Sequence, residues 1–153
     1  MKKMDFHTHI LNDITIDETV SFYQELCERK GYEGIGILAC SHTTEGDYPD
    51  CNEMAMAVRN RLPNSYAFAA LHHDRDFVEQ AKEYMARGFE GIKILEGKPT
   101  QYRYYGYGLD HPRFEAFFAY AEEQGIPLLI HNNDPLMHWD ITKMSARSIR
   151  KGW

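Results

Sequence analysis

Two periodicities alternate along this chain, and the alternation limits what it can fold into. Strand-length segments occupy residues 4–10, where apolar and polar residues alternate, and 34–40, 66–71, 89–95 and 126–131, which are mostly apolar. Between them lie segments whose apolar residues return every three or four positions, the spacing of a half-buried helix. Thr15-Ile16-Asp17-Glu18 fits a capping box, and Val20, Tyr23, Leu26 and Cys27 then share one helical face that Gly31 closes. A second helix carries Cys51, Met54, Ala55, Val58 and Leu62 and stops at Pro63. A third turns Phe77, Val78, Ala81, Tyr84 and Met85 inward, pairs Glu83 with Arg87 outside, and ends at Gly88. The fourth has Asp110 as its predicted cap, Pro112 in its first turn, and Phe114, Phe117, Phe118 and Ala121 on one face up to Gly125. Beyond Asn132 the pattern loosens. Residues 140–151 read as the start of another helix, with Lys143, Arg147, Arg150 and Lys151 on a solvated face.

Near-continuous apolar strands alternating with amphipathic helices predict an α/β fold, a parallel sheet covered by helices. Five such units fit an open doubly wound sheet or part of a closed barrel. Neither a GxGxxG loop nor a GxxxxGK[ST] loop is present, which weakens the dinucleotide and P-loop forms of the open sheet. A length of 153 residues predicts one domain. The composition, 43% hydrophobic and 26% charged, is that of a soluble globular protein. A net charge of −6 without a long basic run argues against nucleic acid and anionic membranes as partners. No apolar stretch approaches the roughly 20 residues that span a bilayer, and no signal-peptide core follows the basic start. Cys27, Cys40 and Cys51 lack metal-type spacing and read as reduced thiols of a cytoplasmic protein.

The chemistry-capable residues gather at the C-terminal ends of the predicted strands. His7 and His9 end the first, Ser41 and His42 the second, His72 and His73 the third, Lys93 and Glu96 the fourth, and His131 the fifth. In parallel sheets and barrels that edge binds ligands. Period-two alternation predicts that His7 and His9 share a face, where two imidazoles on a rigid strand can grip one metal ion. His131 is the expected third ligand. Three nitrogen ligands with an open position suit zinc or a similar divalent ion, which lowers the pKa of its water from 15.7 to roughly 7. Lys93 is read as an oxyanion contact or, if carboxylated, a metal bridge; the plainer reading is an ion pair with Glu90 or Glu96. His72 and His42 are read as substrate contacts, His111 and His138 as structural or surface residues, and Cys40 as a core residue. The loop 97–108, with Tyr102, Arg103, Tyr104, Tyr105 and Tyr107, reads as a lid whose Arg103 pairs with a substrate carboxylate, or else as a packed surface loop.

Taken together, Asp5-Phe6-His7-Thr8-His9, Gly91-Ile92-Lys93-Ile94 and Ile126-Pro127-Leu128-Leu129-Ile130-His131 resemble the amidohydrolase superfamily. The branch is the amidohydrolase-related group that includes aminocarboxymuconate-semialdehyde decarboxylase-like enzymes. The similarity runs over essentially the whole chain, with motif order and spacing intact. It implies a (β/α)8 barrel of the TIM type with a divalent metal, usually zinc, at its C-terminal mouth. Residues 1–153 would supply about the first five β/α units as a single incomplete domain. It also implies His7, His9 and His131 as metal ligands, with His131 in the catalytic set. The family's sixth-strand histidine and eighth-strand aspartate, its general base, would lie beyond Trp153. The activity implied is metal-dependent hydrolysis of a small carboxylated or cyclic ester or amide. The alternatives are non-oxidative decarboxylation of a muconate-like or aromatic acid, and an inactive metal-binding half-barrel that needs a complementary chain. The expected partners are a small-molecule substrate and either the missing barrel half or further copies of the chain.

Overall fold

The computed structural model describes residues 3–10, 14–39, 48–94, 109 and 111–130. Strand and helix alternate as the sequence predicts: β1 (Met4–His9), α1 (Ile16–Lys30), β2 (Gly34–Leu38), α2 (Tyr48–Arg59), β3 (Tyr66–Ala70), α3 (Phe77–Ala86), β4 (Gly91–Ile94), α4 (Pro112–Gln124) and β5 (Leu128–Ile130). The five strands form one sheet in the order β1-β2-β3-β4-β5, and every pairing is parallel. A doubly wound sheet reverses its strand order at a switch point. The described strands have no such reversal.

Local chemistry sets the element ends. The Thr15 hydroxyl accepts from the Glu18 N–H while the Glu18 carboxylate accepts from the Thr15 N–H, and Gly31 ends α1 at φ 66°. Asp76 caps α3 by accepting from the Glu79 N–H at 2.9 Å. The cap of α4 corrects the expectation. It is His111 rather than Asp110, because Pro112 takes the first helical position and holds the residue before it extended, at φ −74° and ψ 143°. His111 Nδ1 accepts from the Arg113 N–H, a structural role as expected, while Asp110 lies outside the described residues. Strands 4 and 5 begin later than predicted because the helix ends claim their first residues. The Phe89 N–H donates to Tyr84 O and the Ile126 N–H to Ala121 O. Helix α2 stops at Arg59, short of Pro63, and Leu62 reaches the core from the tight turn that follows.

The four described helices cover one face of the sheet. Ile35 and Ile37 pack with Val20, Tyr23, Ala55 and Val58, while Ile92 and Ile94 pack with Phe77, Ala81, Phe114 and Phe117. Register sets Ile37 beside Ala67 and Ala69 beside Ile92, and paired residues share a face, so the two clusters lie on the same side. The opposite, inner face therefore carries Leu38, Phe68, Gly91 and Lys93. No described helix is long and apolar enough to cross a membrane. The expected helix over residues 140–151 lies outside the described residues.

One irregularity shapes the first strand. Asp5 pairs with Ile35 but Thr8 pairs with Ile37, so Phe6 and His7 together stand opposite the single Gly36. This is a β-bulge, and it breaks the uninterrupted alternation expected over residues 4–10. The His7 N–H donates to Asp5 Oδ1 at 3.0 Å, and the Thr8 hydroxyl donates to Gly36 O at 2.8 Å. Glycine is required at 36 because a Cβ there would lie 2.9 Å from Phe6 Cα. Gly36→Ala is expected to cost about 1–3 kcal/mol, the usual penalty for overpacking, in a urea titration. An unchanged midpoint would mean that the two strands are not so tightly apposed.

Candidate functional site

The bulge decides how the first strand presents its histidines. His9 pairs with Leu38, which places it on the inner face, at the C-terminal end of β1. The Tyr23 hydroxyl donates to His9 O at 2.6 Å and ties that end to α1. His7, re-aimed by the bulge, brings its ring to 5.1 Å from that of His9, centroid to centroid, at 74° between planes. Two imidazoles bound about 2 Å from one tetrahedral ion have centroids about 5 Å apart. The pair has the spacing and the donor chemistry of two ligands to one cation. His7 is exposed and His9 half-buried, so the rings are open to solvent.

A second cluster forms just past β3. Among the described residues the pairing with β2 runs to Phe68, and side-chain amides bond the backbone beyond it. Asn52 donates to Ala70 O at 3.0 Å and accepts from the Ala70 N–H at 2.8 Å. Two residues on, Gln80 accepts from the His72 N–H at 2.6 Å and donates to His72 O at 2.8 Å. Both amides are buried. From α4, Arg113 donates to His73 O at 2.9 Å and to Arg75 O, and its guanidinium lies 4.6 Å above the Phe77 ring. The backbone of residues 70–75 is thus held from three helices.

This held segment presents His72, His73 and Asp74. Their ligand atoms all lie within 4.8 Å of one another, and His72 Nδ1 contacts Asp74 Oδ1 directly. The two rings are 5.2 Å apart. Burial pushes the His73 pKa down, and the charges of His72 and Arg113 push the same way against the pull of Asp74. For Asp74 burial acts upward, but the hydrogen bond from His72 and the nearby imidazoles outweigh it and the pKa falls. The segment therefore favours a neutral His73 beside an ionised Asp74, a pairing of metal-ligand type. The sequence singled out His72, as an expected substrate contact, but gave no sign of a role for Asp74, Asn52 or Gln80.

Lys93 lies on the inner face of β4, in register with Ala70 and Leu129, and is fully buried. The expected ion pair with Glu90 does not form. Glu90 precedes the strand, and its carboxylate binds Arg59 and, at 2.7 Å, the Ala67 N–H. His131, Arg103 with the loop 97–108, Ser41, His42, Cys40, Glu96 and His138 lie outside the described residues. His7, His9, His72, His73 and Lys93 all fall at or near the C-terminal edge of the sheet.

No protein-family model matches this chain, and no curated protein matches it.

The amide clamps have a measurable consequence. Gln80→Met keeps the side-chain volume but strips the His72 N–H of its acceptor. A loss of about 1–3 kcal/mol in urea unfolding is expected. Glu79→Gln, an exposed neighbour on the same helix, is expected to stay within about 0.5 kcal/mol of the parent. Equal effects from the two would refute the clamp.

Proposed function

We propose that the chain forms part of a (β/α)8 barrel of the TIM type and that its site serves metal-dependent hydrolysis of a small carboxylated or cyclic ester or amide. The observation that carries this reading is the His7–His9 pair, with ring centroids 5.1 Å apart at the C-terminal end of β1. Strand order supports the scaffold, since five parallel strands follow one another without reversal and the described helices lie on one face. The resemblance in Asp5-Phe6-His7-Thr8-His9 and in the segment ending at His131 supports the chemistry.

In this reading His7, His9 and His131 hold a divalent ion, most simply zinc. When bound, the ion supplies an activated water and a polarised carbonyl. The remaining work falls to the chain. The bulge changes the direction in which the strand presents His7, and the Tyr23 hydroxyl ties the strand end to α1 at His9 O. Lys93 shares the inner face with His9 and is the donor assigned to the substrate oxyanion. Arg103 is assigned to a substrate carboxylate, where a bidentate pair gives orientation as well as affinity.

Turnover of a panel of carboxylated esters, amides and lactones should stop when the protein is stripped with a chelator and return with zinc. His7→Ala and His9→Ala should each lower kcat/KM by at least about 100-fold, given that even outer partners of a metal site are worth 10–100-fold. Full activity of the stripped protein would sink the proposal. Release of carbon dioxide from a muconate-like or aromatic acid, without hydrolysis, would put decarboxylation in its place on the same ligands.

A further inference from the structure

We propose that His72, His73 and Asp74 form a second site for a divalent cation of the zinc type, separate from the His7–His9 pair. The proposal does not depend on the hydrolase reading. It rests on three features of the β3–α3 connection.

The first is the donor set. Two imidazoles and a carboxylate are the protein ligands of many open zinc and non-haem iron sites. Here they come from three consecutive residues, with ligand atoms all within 4.8 Å of one another. The two rings lie 5.2 Å apart with their planes 24° from parallel, so a side-chain rotation is needed to bring both nitrogens onto one ion.

The second is preorganisation. Consecutive residues in a loop ordinarily lose much entropy when they converge on an ion. In this loop the backbone is already held, at His72 by Gln80 and at His73 by Arg113. Asp76 then starts α3 immediately afterwards, so neither end of the segment is loose. All of these restraints act on backbone atoms and leave the three side chains to point elsewhere.

The third is access. His72 and His73 are half-buried while Asp74 is exposed, so an ion has a route in and three ligand positions once there. The contact between His72 Nδ1 and Asp74 Oδ1 shows that ring and carboxylate already converge. A bound ion takes the place between them. His72 then ligates through Nδ1 and its proton moves to Nε2, a change of tautomer with no net charge.

Strands β1 and β3 are separated by β2, so their ends stand about 10 Å apart. A double variant can therefore separate the two sites. The test is calorimetric titration of the chelator-stripped chain with zinc, in the parent and in His7→Ala/His9→Ala. The double variant should keep one zinc equivalent. Adding His72→Gln and His73→Gln should weaken that equivalent by at least about 100-fold, and adding Asp74→Asn instead by at least about 10-fold. Loss of all zinc in His7→Ala/His9→Ala would overturn the proposal, as would unchanged affinity after the His72 and His73 replacements.

A second measurement needs no variant. Zinc should protect His72 and His73 of the parent chain from diethylpyrocarbonate, read peptide by peptide in a mass spectrometer. Equal modification with and without zinc would also overturn it.

Discussion

Parallel pairing in chain order is the constraint from which the other features follow. Each strand must return to the same end of the sheet before the next begins, so each connection is a crossover. Crossovers of one hand, applied without a reversal of strand order, put every helix on the same face. That is what the register and the two apolar clusters display, with Ile35, Ile37, Ile92 and Ile94 all turned toward helices. The other face is left to Leu38, Phe68, Gly91, Lys93 and His9. The same constraint sends every strand's C-terminal end to one edge, which is why residues as distant in sequence as His9, His72 and Lys93 come to the same edge of the sheet. The chemistry is a consequence of winding before it is a consequence of any single motif.

Within that frame the first strand uses its motif twice. Asp5 and Thr8 flank the bulge and serve the backbone, one accepting from the His7 N–H and the other donating to Gly36 O. Phe6 takes the space that Gly36 leaves empty and meets Tyr66 on the inner face at 5.4 Å. Only then do His7 and His9 acquire their separation. A regular strand would have placed Asp5 on the same side as His9. The bulge instead sends Asp5 to the side of Ile35.

The alternation of strands and helices was legible in the chain because apolar burial dictates it. Among the described residues, the five strand-length segments and four amphipathic stretches became five strands and four helices. Capping at Thr15 was legible too, since that motif acts over three residues. The features that escaped are those in which one element acts on another. The bulge depends on a glycine in β2 and a phenylalanine in β1, two positions that are neighbours only after pairing. Asp110 is a better cap than His111 by residue type, and the geometry forced by Pro112 overrode type. Asn52 and Gln80 read as ordinary polar residues on helices, yet both are buried against the end of β3. A fully buried amide within a helix otherwise lined by apolar residues is the trace they leave, and it becomes a signal only once the helix face is known.

The two histidine pairs show two solutions to the same problem of holding imidazoles still. At β1 the strand itself does the holding, through a bulge whose donor and acceptor are bound locally. At β3 helices α2, α3 and α4 hydrogen-bond the backbone of the strand end and of the residues after it. The second solution asks more of the chain, because a buried amide must satisfy both its ends or cost stability. Asn52 and Gln80 do so by matching one backbone N–H and one C=O each. A connection needing only to turn the chain could have left those groups to water at the exposed edge. Fastening them from within the core fixes the position of residues 72–74, and the side chains so fixed are two imidazoles and a carboxylate.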